Sequence, residues 1–325
     1  MNHIDQPTLL QIKKIIGLVF PKAQVTGFNR TSLGNVNWVY IIKLKNPVKK
    51  LVLKVVYRKD REEQGILAKE VEVISLLNEK KVKGVPKVIE FDCGKKTAPW
   101  VYMLESFLEG CPIIECHENY QEKDLESMIK SVARLISGFQ KIKYRKITEF
   151  EKQRPEFKTF PDYARFYLDK YCRVCDSYGK MPKTLIGRAR KFVDKESTKI
   201  TNREFVLNHS DVSSHNILLK NKKFSGIVDF EATQTMVPEF DLVTFYHEFL
   251  WRYPRLWILL LREYVKLNRV PANFPERLNI IMGYRSLRYL YIAVKNQIYQ
   301  YLPGDIKRME EVLNGEFIKT INYRV

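Results

Sequence analysis

Cysteine, acidic residues and long apolar runs are all scarce in this chain of 325 residues. Its five cysteines are scattered and odd in number, which excludes a disulfide framework and favours a reducing compartment. Cys172 and Cys175 form a C-x-x-C pair, but no second pair lies at a spacing that would complete a zinc site. We therefore expect these two residues to be buried thiols on a helix face rather than metal ligands.

A membrane-spanning segment and an N-terminal targeting signal are also missing. The most apolar run, LWILLL at 256–261, lies between two arginines and is far too short to cross a bilayer. The first ten residues, MNHIDQPTLL, include an aspartate and lack the basic start and apolar run of a signal peptide. These absences predict a soluble, cytoplasmic protein.

The shortage of acidic residues gives the chain a strong positive charge. It has 56 Lys and Arg against 37 Asp and Glu, a net charge of +19. This field favours anionic partners such as nucleotides, phosphorylated metabolites, nucleic acid or an acidic membrane surface. Because the lysines come in dispersed doublets with no block of six, an ordinary solvated surface is the simpler interpretation, and nucleic acid is the less favoured partner.

The first third of the chain is rich in strand patterns. The segments WVYIIKLK at 38–45 and LVLKVVY at 51–57 predict a hairpin. A helix is expected over 60–80, followed by two more strands at 87–93 and 99–107.

After Gly110, helical spacing dominates instead. The apolar residues predict helices at 124–142, 161–176, 184–195, 240–267, 275–299 and 305–314. A strand-rich start followed by a helix-rich remainder predicts an α+β protein with two lobes, the first small and β-rich and the second larger and mainly helical.

Three polar residues adjoin apolar runs within NHSDVSSHNILL and IVDFE. Asp211 follows the run 205–207, Asn216 precedes 217–219, and Asp229 follows 227–228. Two carboxylates and an amide oxygen are hard donors that suit Mg²⁺ shared with phosphates. One aspartate could instead accept a proton from an attacking hydroxyl. Each could also be an ordinary turn residue, but the combined spacing favours a functional site.

A lysine in the second predicted strand stands out because both faces of that strand are otherwise apolar. Lys54 lies within LVLKVV and needs an anionic partner, and Glu70 lies on the apolar face of the following predicted helix. The two could pair and direct the ammonium group at phosphates, or each could reach solvent on its own. Upstream, Gly34 in TSLGNVNWVY lies in a loop that could cover phosphates, although one glycine is a weak signal.

Together these residues resemble the motifs of the aminoglycoside phosphotransferase and choline kinase superfamily, which are relatives of the protein kinases. The resemblance covers roughly 30–245 and rests on His209, Asp211, Asn216, Asp229, the P-x-x-D-L of Pro238 to Leu242, Lys54, Glu70 and the segment VYMLESFLEG. It implies a protein-kinase-like fold with an N-terminal nucleotide-binding lobe at 1–104. It further implies an inter-lobe hinge at 105–110 and a helical catalytic and acceptor-binding lobe at 111–325.

The resemblance also implies a role for each residue at the phosphates. Asp211 would be the catalytic base that orients the acceptor hydroxyl, while Asn216 and Asp229 would hold Mg²⁺. Lys54 would contact the phosphates of ATP or GTP, braced by Glu70.

Other positions would bind the nucleotide or support the catalytic loop. Backbone groups of Glu105 and Phe107 would receive the adenine edge, and the Gly34 loop would cover the phosphates. His209 would support the catalytic loop. Glu231 stands where a protein kinase has glycine and would add negative charge near the metal.

The acceptor is predicted to be a small molecule. Only twelve positions separate Asp229 from Asp241, which is too short for a loop that holds a peptide. The expected activity is transfer of the γ-phosphoryl group to a hydroxyl of a metabolite, such as an amino alcohol or sugar, or of an aminoglycoside. The basic charge would attract a polycationic aminoglycoside poorly.

Two interpretations remain open from the sequence alone. Six aromatic residues of the C-terminal third could stack on a sugar, cage a choline-like cation, or simply form the core between helices: Tyr246, Trp251, Tyr253, Trp257, Tyr284 and Tyr289. The chain could also be a catalytically silent pseudokinase whose basic surface binds an anionic partner. The complete set of motif residues favours the enzyme.

Overall fold

The computed structural model describes residues 6–31, 37–56, 61–151, 154–182 and 184–321. The chain divides into two compact units. The first comprises Met1–Gly110 and Ser225–Glu231, and the second comprises Cys111–Phe224 and Ala232–Val325. The segment 225–231 therefore packs with the first unit, although the sequence analysis assigned everything after 110 to the C-terminal lobe. The functional division into 1–104, 105–110 and 111–325 stays a prediction.

The first unit is built on a five-stranded antiparallel sheet with the spatial order β1-β2-β3-β5-β4. Its strands are β1 (Gln24–Arg30), β2 (Trp38–Lys45), β3 (Lys49–Val55), β4 (Val88–Asp92) and β5 (Tyr102–Ser106). Helix α1 (Leu9–Val19) precedes the sheet, and α2 (Arg61–Glu79) connects β3 to β4.

The core of the first unit lies between α1 and one face of this sheet. Ile12, Ile15 and Ile16 of α1 are fully or almost fully buried and join a cluster with the alternate residues of β2, from Trp38 to Leu44. Alternate residues of a strand share one face, so the helix covers that face. The capping box of Thr8 and Gln11 fixes the start of α1, because it satisfies backbone N–H groups that a helix N-terminus leaves unpaired.

The second unit is mainly helical. Its helices are α3 (Ile113–Cys116), α4 (Glu122–Phe139), α5 (Phe160–Ser177), α6 (Leu185–Glu196), α7 (Glu239–Glu248), α8 (Pro254–Leu267), α9 (Phe274–Lys295), α10 (Leu302–Leu313) and α11 (Glu316–Lys319). Its strands are β6 (Cys111–Pro112), β7 (Lys143–Tyr144), β8 (Phe205–Asn208), β9 (Ile217–Lys220) and β11 (Gln234–Met236), while β10 (Lys223–Ile227) starts here and ends in the first unit.

The predicted fold class is confirmed, since a β-rich N-terminal part precedes a helical C-terminal part. The single helix predicted over 240–267 is wrong. The chain forms α7 and α8 instead, with Pro254 as the first residue of α8. Proline has no N–H group to donate, so it interrupts a helix interior but fits the first helical turn. Among the described residues, no helix is long and apolar enough to cross a membrane.

The predicted thiols of α5 are buried, as the helical pattern indicated. Cys172 and Cys175 are at most 1% exposed. Burial raises the pKa of Cys172 to about 11 and that of Cys175 to about 12. Both are therefore neutral thiols at physiological pH.

The returning segment 225–231 passes very close to the backbone of the first unit. Ile227 donates its N–H to the carbonyl oxygen of Gly84 at 2.8 Å. A Cβ atom on Gly226 would lie 2.6 Å from that same oxygen and 2.7 Å from a methyl carbon of Leu108. Only glycine fits at this position, and the close approach fixes where the segment leading to Asp229 can run.

Replacing Gly226 with alanine should therefore destabilise the protein. Overpacking of this kind costs about 1–3 kcal/mol. Gly65→Ala is the matched control, because a Cβ atom there meets nothing within 4 Å and helix propensity should raise the free energy of unfolding by up to about 1 kcal/mol. Urea unfolding of both variants measures the difference. Equal stability of the two would show that the segment is not held at Gly84.

Candidate active site

The predicted lysine and glutamate form a buried ion pair in the first unit. Lys54 Nζ donates to Glu70 Oε1 at 2.5 Å, and the two side chains are 7% and 0% exposed. Glu70 Oε1 also accepts the backbone N–H of Phe230 at 3.0 Å. Of the two arrangements that the sequence left open, pairing is the one observed, and the 7% exposure of Lys54 shows that its side chain does not extend into solvent.

Three more carboxyl groups lie around Lys54. Asp229 Oδ1 is 3.9 Å from its Nζ atom, and Glu105 and Glu231 also act on it electrostatically. Burial alone would lower the pKa of Lys54, but Glu70 and these three acids outweigh it and hold that pKa well above its usual range. One ammonium group thus faces four carboxyl groups. The acids outnumber the basic group, so a further cation could bind beside it.

Two of these carboxyl groups bind protons far more readily than an exposed glutamate. Burial raises the pKa of Glu105 to about 8, and burial with the charge of Asp229 raises that of Glu231 to about 8. Glu231 accepts a hydrogen bond from the side-chain amide of Asn37. Burial and the charge of Asp229 thus favour the protonated form of Glu231 in the absence of a bound cation, and the added negative charge near a metal stays a prediction. Asn37 was not recognised in the sequence, and its place between a glycine loop and a strand was the available signal.

The acids of the first unit fit a magnesium ion better than a fully protein-bound metal. Asp229 Oδ1 and the Oε2 atoms of Glu70 and Glu105 are buried without a hydrogen-bond partner. Within the described ranges, no group of three or more His, Cys, Asp or Glu side chains could hold a metal by itself. Magnesium needs no such cage, since it usually takes one or two carboxylates and keeps water and phosphate oxygens for the rest.

In the second unit, Asp211 and Asn216 are brought together by the loop between β8 and β9. The amide nitrogen of Asn216 donates to Asp211 Oδ2 at 2.8 Å and to the Asp211 carbonyl at 3.0 Å. Asn216 uses the donor end of its amide on Asp211, so its side-chain oxygen is the atom suited to a cation.

Asp241 at the start of α7 supports the same loop. Its two carboxylate oxygens accept the backbone N–H groups of His209 at 2.9 Å and Ser210 at 2.8 Å. Ser210 has a φ of 66°, a left-handed conformation that is costly for a residue other than glycine. Burial raises the pKa of Asp241 to about 7, although the N–H groups of Ser210 and His209 oppose the rise. The sequence identified Asp241 only as part of a helix-opening motif.

The family assignment follows from a comparison with known proteins. Residues 30–274 match the model of the phosphotransferase enzyme family, APH, which covers well over half of the chain. The chain belongs to the phosphotransferase enzyme family. Its resemblance to the aminoglycoside phosphotransferase and choline kinase superfamily is thereby confirmed, whereas no curated protein matches the sequence.

Solved structures share the fold of this phosphotransferase at low sequence identity. A thermostable mutant of aminoglycoside phosphotransferase APH(4)-Ia, in ternary complex with ADP and hygromycin B, has 15% identity and a TM-score of 0.67 over 94% of this chain and 98% of its own. A provisionally assigned fructosamine-3-kinase from Haemophilus somnus 129PT has 14% identity and a TM-score of 0.64 over 94% of this chain and 96% of its own. The gentamicin complex of APH(2″)-IIa has 12% identity and a TM-score of 0.63 over 98% of both chains.

The remaining predicted nucleotide-binding residues lie in different places in this phosphotransferase. Gly34 falls outside the described residues. Glu105 lies on β5 opposite Val52 of β3, and Phe107 follows the end of that strand. The Nζ atom of Lys50 is 4.8 Å from the Phe107 ring centroid. The predicted roles of Gly34, Glu105 and Phe107 at the nucleotide stay predictions.

The C-terminal aromatic residues divide between the core and the surface of the phosphotransferase. Tyr246, Trp257 and Tyr284 are buried and pack between helices. Trp251 is 40% exposed, and Tyr289 is half-buried and stacks on His247 at 3.8 Å between ring centroids. Tyr253 is half-buried as well. Helix packing therefore accounts for half of the set, and Trp251, Tyr253 and Tyr289 keep surface that a ligand could reach.

Replacing Asp241 with asparagine should weaken the loop that carries Asp211. An amide nitrogen would then face a backbone N–H group in the core, at a cost of about 1–3 kcal/mol. Asp169→Asn is the control, because the Asp169 side chain is 63% exposed and pairs with an exposed arginine, Arg190. The free energy of unfolding, measured in urea, and the turnover rate should both fall in Asp241→Asn and stay near wild type in Asp169→Asn. Wild-type behaviour of Asp241→Asn would mean that the two N–H bonds do not hold the loop.

The raised pKa values predict how stability depends on pH without nucleotide. From about 4.5 to about 8, folded Glu105 keeps a proton that the unfolded chain has released. The free energy of unfolding should therefore fall as pH rises through this window. Glu105→Gln removes one titrating group and should flatten the decline, whereas Glu79→Gln, at a 73% exposed side chain, should not. Urea unfolding across the window tests this, and unchanged slopes in Glu105→Gln would contradict it.

Proposed function

We propose that this phosphotransferase uses Mg²⁺ and ATP or GTP to move the γ-phosphoryl group to a hydroxyl of a small molecule. The observation that carries the proposal is the buried Lys54–Glu70 pair at 2.5 Å, with Asp229 3.9 Å from the same ammonium group. A lysine fixed by a glutamate, next to a carboxylate oxygen that accepts no hydrogen bond, is the arrangement that nucleotide phosphates and a metal require.

The proposed nucleotide site follows from this arrangement. Lys54 contacts the phosphates, and Glu70 keeps its ammonium group in one position. Backbone groups of Glu105 and Phe107 receive the adenine edge, and the loop around Gly34 covers the phosphates. Mg²⁺, when bound, neutralises the charge that develops on the transferred group. The carboxylate of Asp229 and the side-chain oxygen of Asn216 are the protein groups that would hold it.

Asp211 is the proposed catalytic base. Its carboxylate accepts the acceptor's hydroxyl proton and orients the oxygen for attack. Asn216 donates to Asp211 at 2.8 Å and so restrains that carboxylate. Asp241 fixes the backbone just before it through His209 and Ser210. Positioning and charge neutralisation then supply most of the rate enhancement.

The segment after Asp229 supports a small acceptor rather than a protein. Residues 233–237 are buried, and β11 within them pairs with β8. α7 begins at Glu239. From Ala232 onward, the short stretch between Asp229 and Asp241 belongs to the second unit and offers no free loop to hold a peptide.

The surroundings of Trp251 favour a metabolite over a polycationic antibiotic as the acceptor. The guanidinium groups of Arg252 and Arg308 lie 4.2 Å and 4.8 Å from its ring centroid. These two charges would repel a polycation. Although solved relatives were bound to hygromycin B and gentamicin, a neutral or anionic hydroxyl compound suits this exposed ring better.

Nucleotide turnover with candidate acceptors tests the activity. We expect Mg²⁺-dependent release of ADP or GDP with one of several pools, namely aminoglycosides, macrolides, choline and other amino alcohols, and sugars with and without phosphate. Asp211→Asn should lower turnover by about 10²–10⁴-fold, whereas Asp169→Asn, the exposed control, should not.

The competing function is a catalytically silent pseudokinase that binds an anionic partner through its basic surface. No turnover in any pool, together with no Mg²⁺-nucleotide binding by calorimetry, would overturn the enzyme and favour this alternative. Nucleotide binding without turnover would fit both a pseudokinase that binds nucleotide and an enzyme whose acceptor lies outside the pools, and a wider acceptor screen would separate the two.

A further inference from the structure

The start of the first unit contains no acidic residue over a long stretch. Between positions 6 and 59 the sequence has no Asp or Glu but has eleven basic residues, namely Lys13, Lys14, Lys22, Arg30, Lys43, Lys45, Lys49, Lys50, Lys54, Arg58 and Lys59. Lys54 is buried in the site described above, but most of the others in the described range are exposed. The stretch itself supplies no acid to oppose this charge, although Lys50 pairs with Glu109 at 3.2 Å.

The outer face of α1 is unusual for a surface helix. Its inner face buries Ile12, Ile15 and Ile16, and with 3.6 residues per turn the opposite face presents Leu10, Lys13, Lys14, Gly17 and Leu18. Leu10 is 78% and Leu18 is 58% exposed. A helix that packs on one side normally shows polar residues on the other. Here the outer face combines protruding leucines with lysines.

The turn between β2 and β3 extends this surface. Residues 19–23 at the end of α1 and Asn46 and Pro47 of the turn line one shallow concavity. Val48 at the tip of the turn is 88% exposed, and Lys22, one of the lining residues, is also exposed. We call the set of Leu10, Lys13, Lys14, Leu18, Lys22 and Val48 the α1 face.

The chemistry of the α1 face distinguishes between possible anionic partners. Single-stranded nucleic acid is usually held by exposed aromatic side chains on which bases stack, and none of the aromatic side chains described in this stretch is exposed. A peptide would need a groove, whereas Leu10 and Val48 protrude separately. A bilayer with anionic headgroups needs neither, because lysines attract the headgroups and isolated aliphatic side chains enter the interface.

We propose that the α1 face docks this protein on a membrane surface that carries anionic lipids. The attachment is peripheral: the described part of the chain holds no helix that could cross a membrane. The proposal is independent of the phosphotransferase activity, since none of the residues of the α1 face belongs to the candidate active site.

Co-sedimentation of the full-length protein with vesicles tests the proposal. We expect binding to phosphatidylcholine vesicles rich in phosphatidylserine, weakening with added salt, and little binding to pure phosphatidylcholine. Lys13→Gln with Lys22→Gln should weaken binding by about tenfold or more. Leu10→Ser with Leu18→Ser and Val48→Ser should also weaken it, although the charge is unchanged.

The matched control removes the same number of charges elsewhere. Lys141→Gln with Lys180→Gln changes two exposed lysines of the second unit and should leave vesicle binding near wild type. Circular dichroism and thermal unfolding verify that all variants fold, which the exposure of these side chains leads us to expect.

Three results would overturn the proposal. One is the absence of binding to anionic vesicles at low salt. The second is equal weakening by the control and by the Lys13 and Lys22 variant, which would mean diffuse attraction without a defined face. The third is binding of single-stranded RNA, sensitive to the same variants, without binding to vesicles.

Discussion

The first unit depends on the burial of one ammonium group. Lys54 could not lie in the middle of an apolar sheet without Glu70, and removing one partner of such a buried pair costs about 3–5 kcal/mol. Glu70 in turn accepts the N–H of Phe230, so the pair joins β3, α2 and the returning segment 225–231. The same carboxylate that orients the lysine also fixes the residue next to Asp229. Structure and proposed chemistry therefore share one interaction.

In the second unit a buried acid also holds part of the candidate site, but it does so through backbone N–H groups and not through an ion pair. The loop between β8 and β9 contains a left-handed serine, and a buried aspartate on α7 accepts two consecutive backbone N–H groups beside it. In both units a buried acid accepts hydrogen bonds from groups in distant parts of the chain. Each acid thus holds a residue of the candidate site at a defined place, and breaking the acid's bonds disturbs that residue first.

The sequence predicted those features whose cause is local. Lys54 stood out because its strand is otherwise apolar, and Asp211, Asn216 and Asp229 because each adjoins an apolar run. Contacts between distant residues left no such trace. The Asn37–Glu231 hydrogen bond, the close approach of Gly226 to Gly84 and the two N–H bonds to Asp241 depend on segments that meet only after folding. The break between α7 and α8 does have a local cause that the sequence interpretation missed, namely Pro254 at the start of α8.

The path of the chain has a consequence for how such a protein can be divided. The polypeptide passes from the first unit to the second after Gly110, returns for Ser225–Glu231 and leaves again. Neither unit is a contiguous stretch of sequence. A fragment ending at 110 would lack Ile227, whose N–H group bonds the carbonyl oxygen of Gly84. It would also lack Phe230, whose N–H group bonds Glu70. The two units are therefore expected to be inherited, expressed and lost together, and not to be exchanged between proteins as separate gene segments.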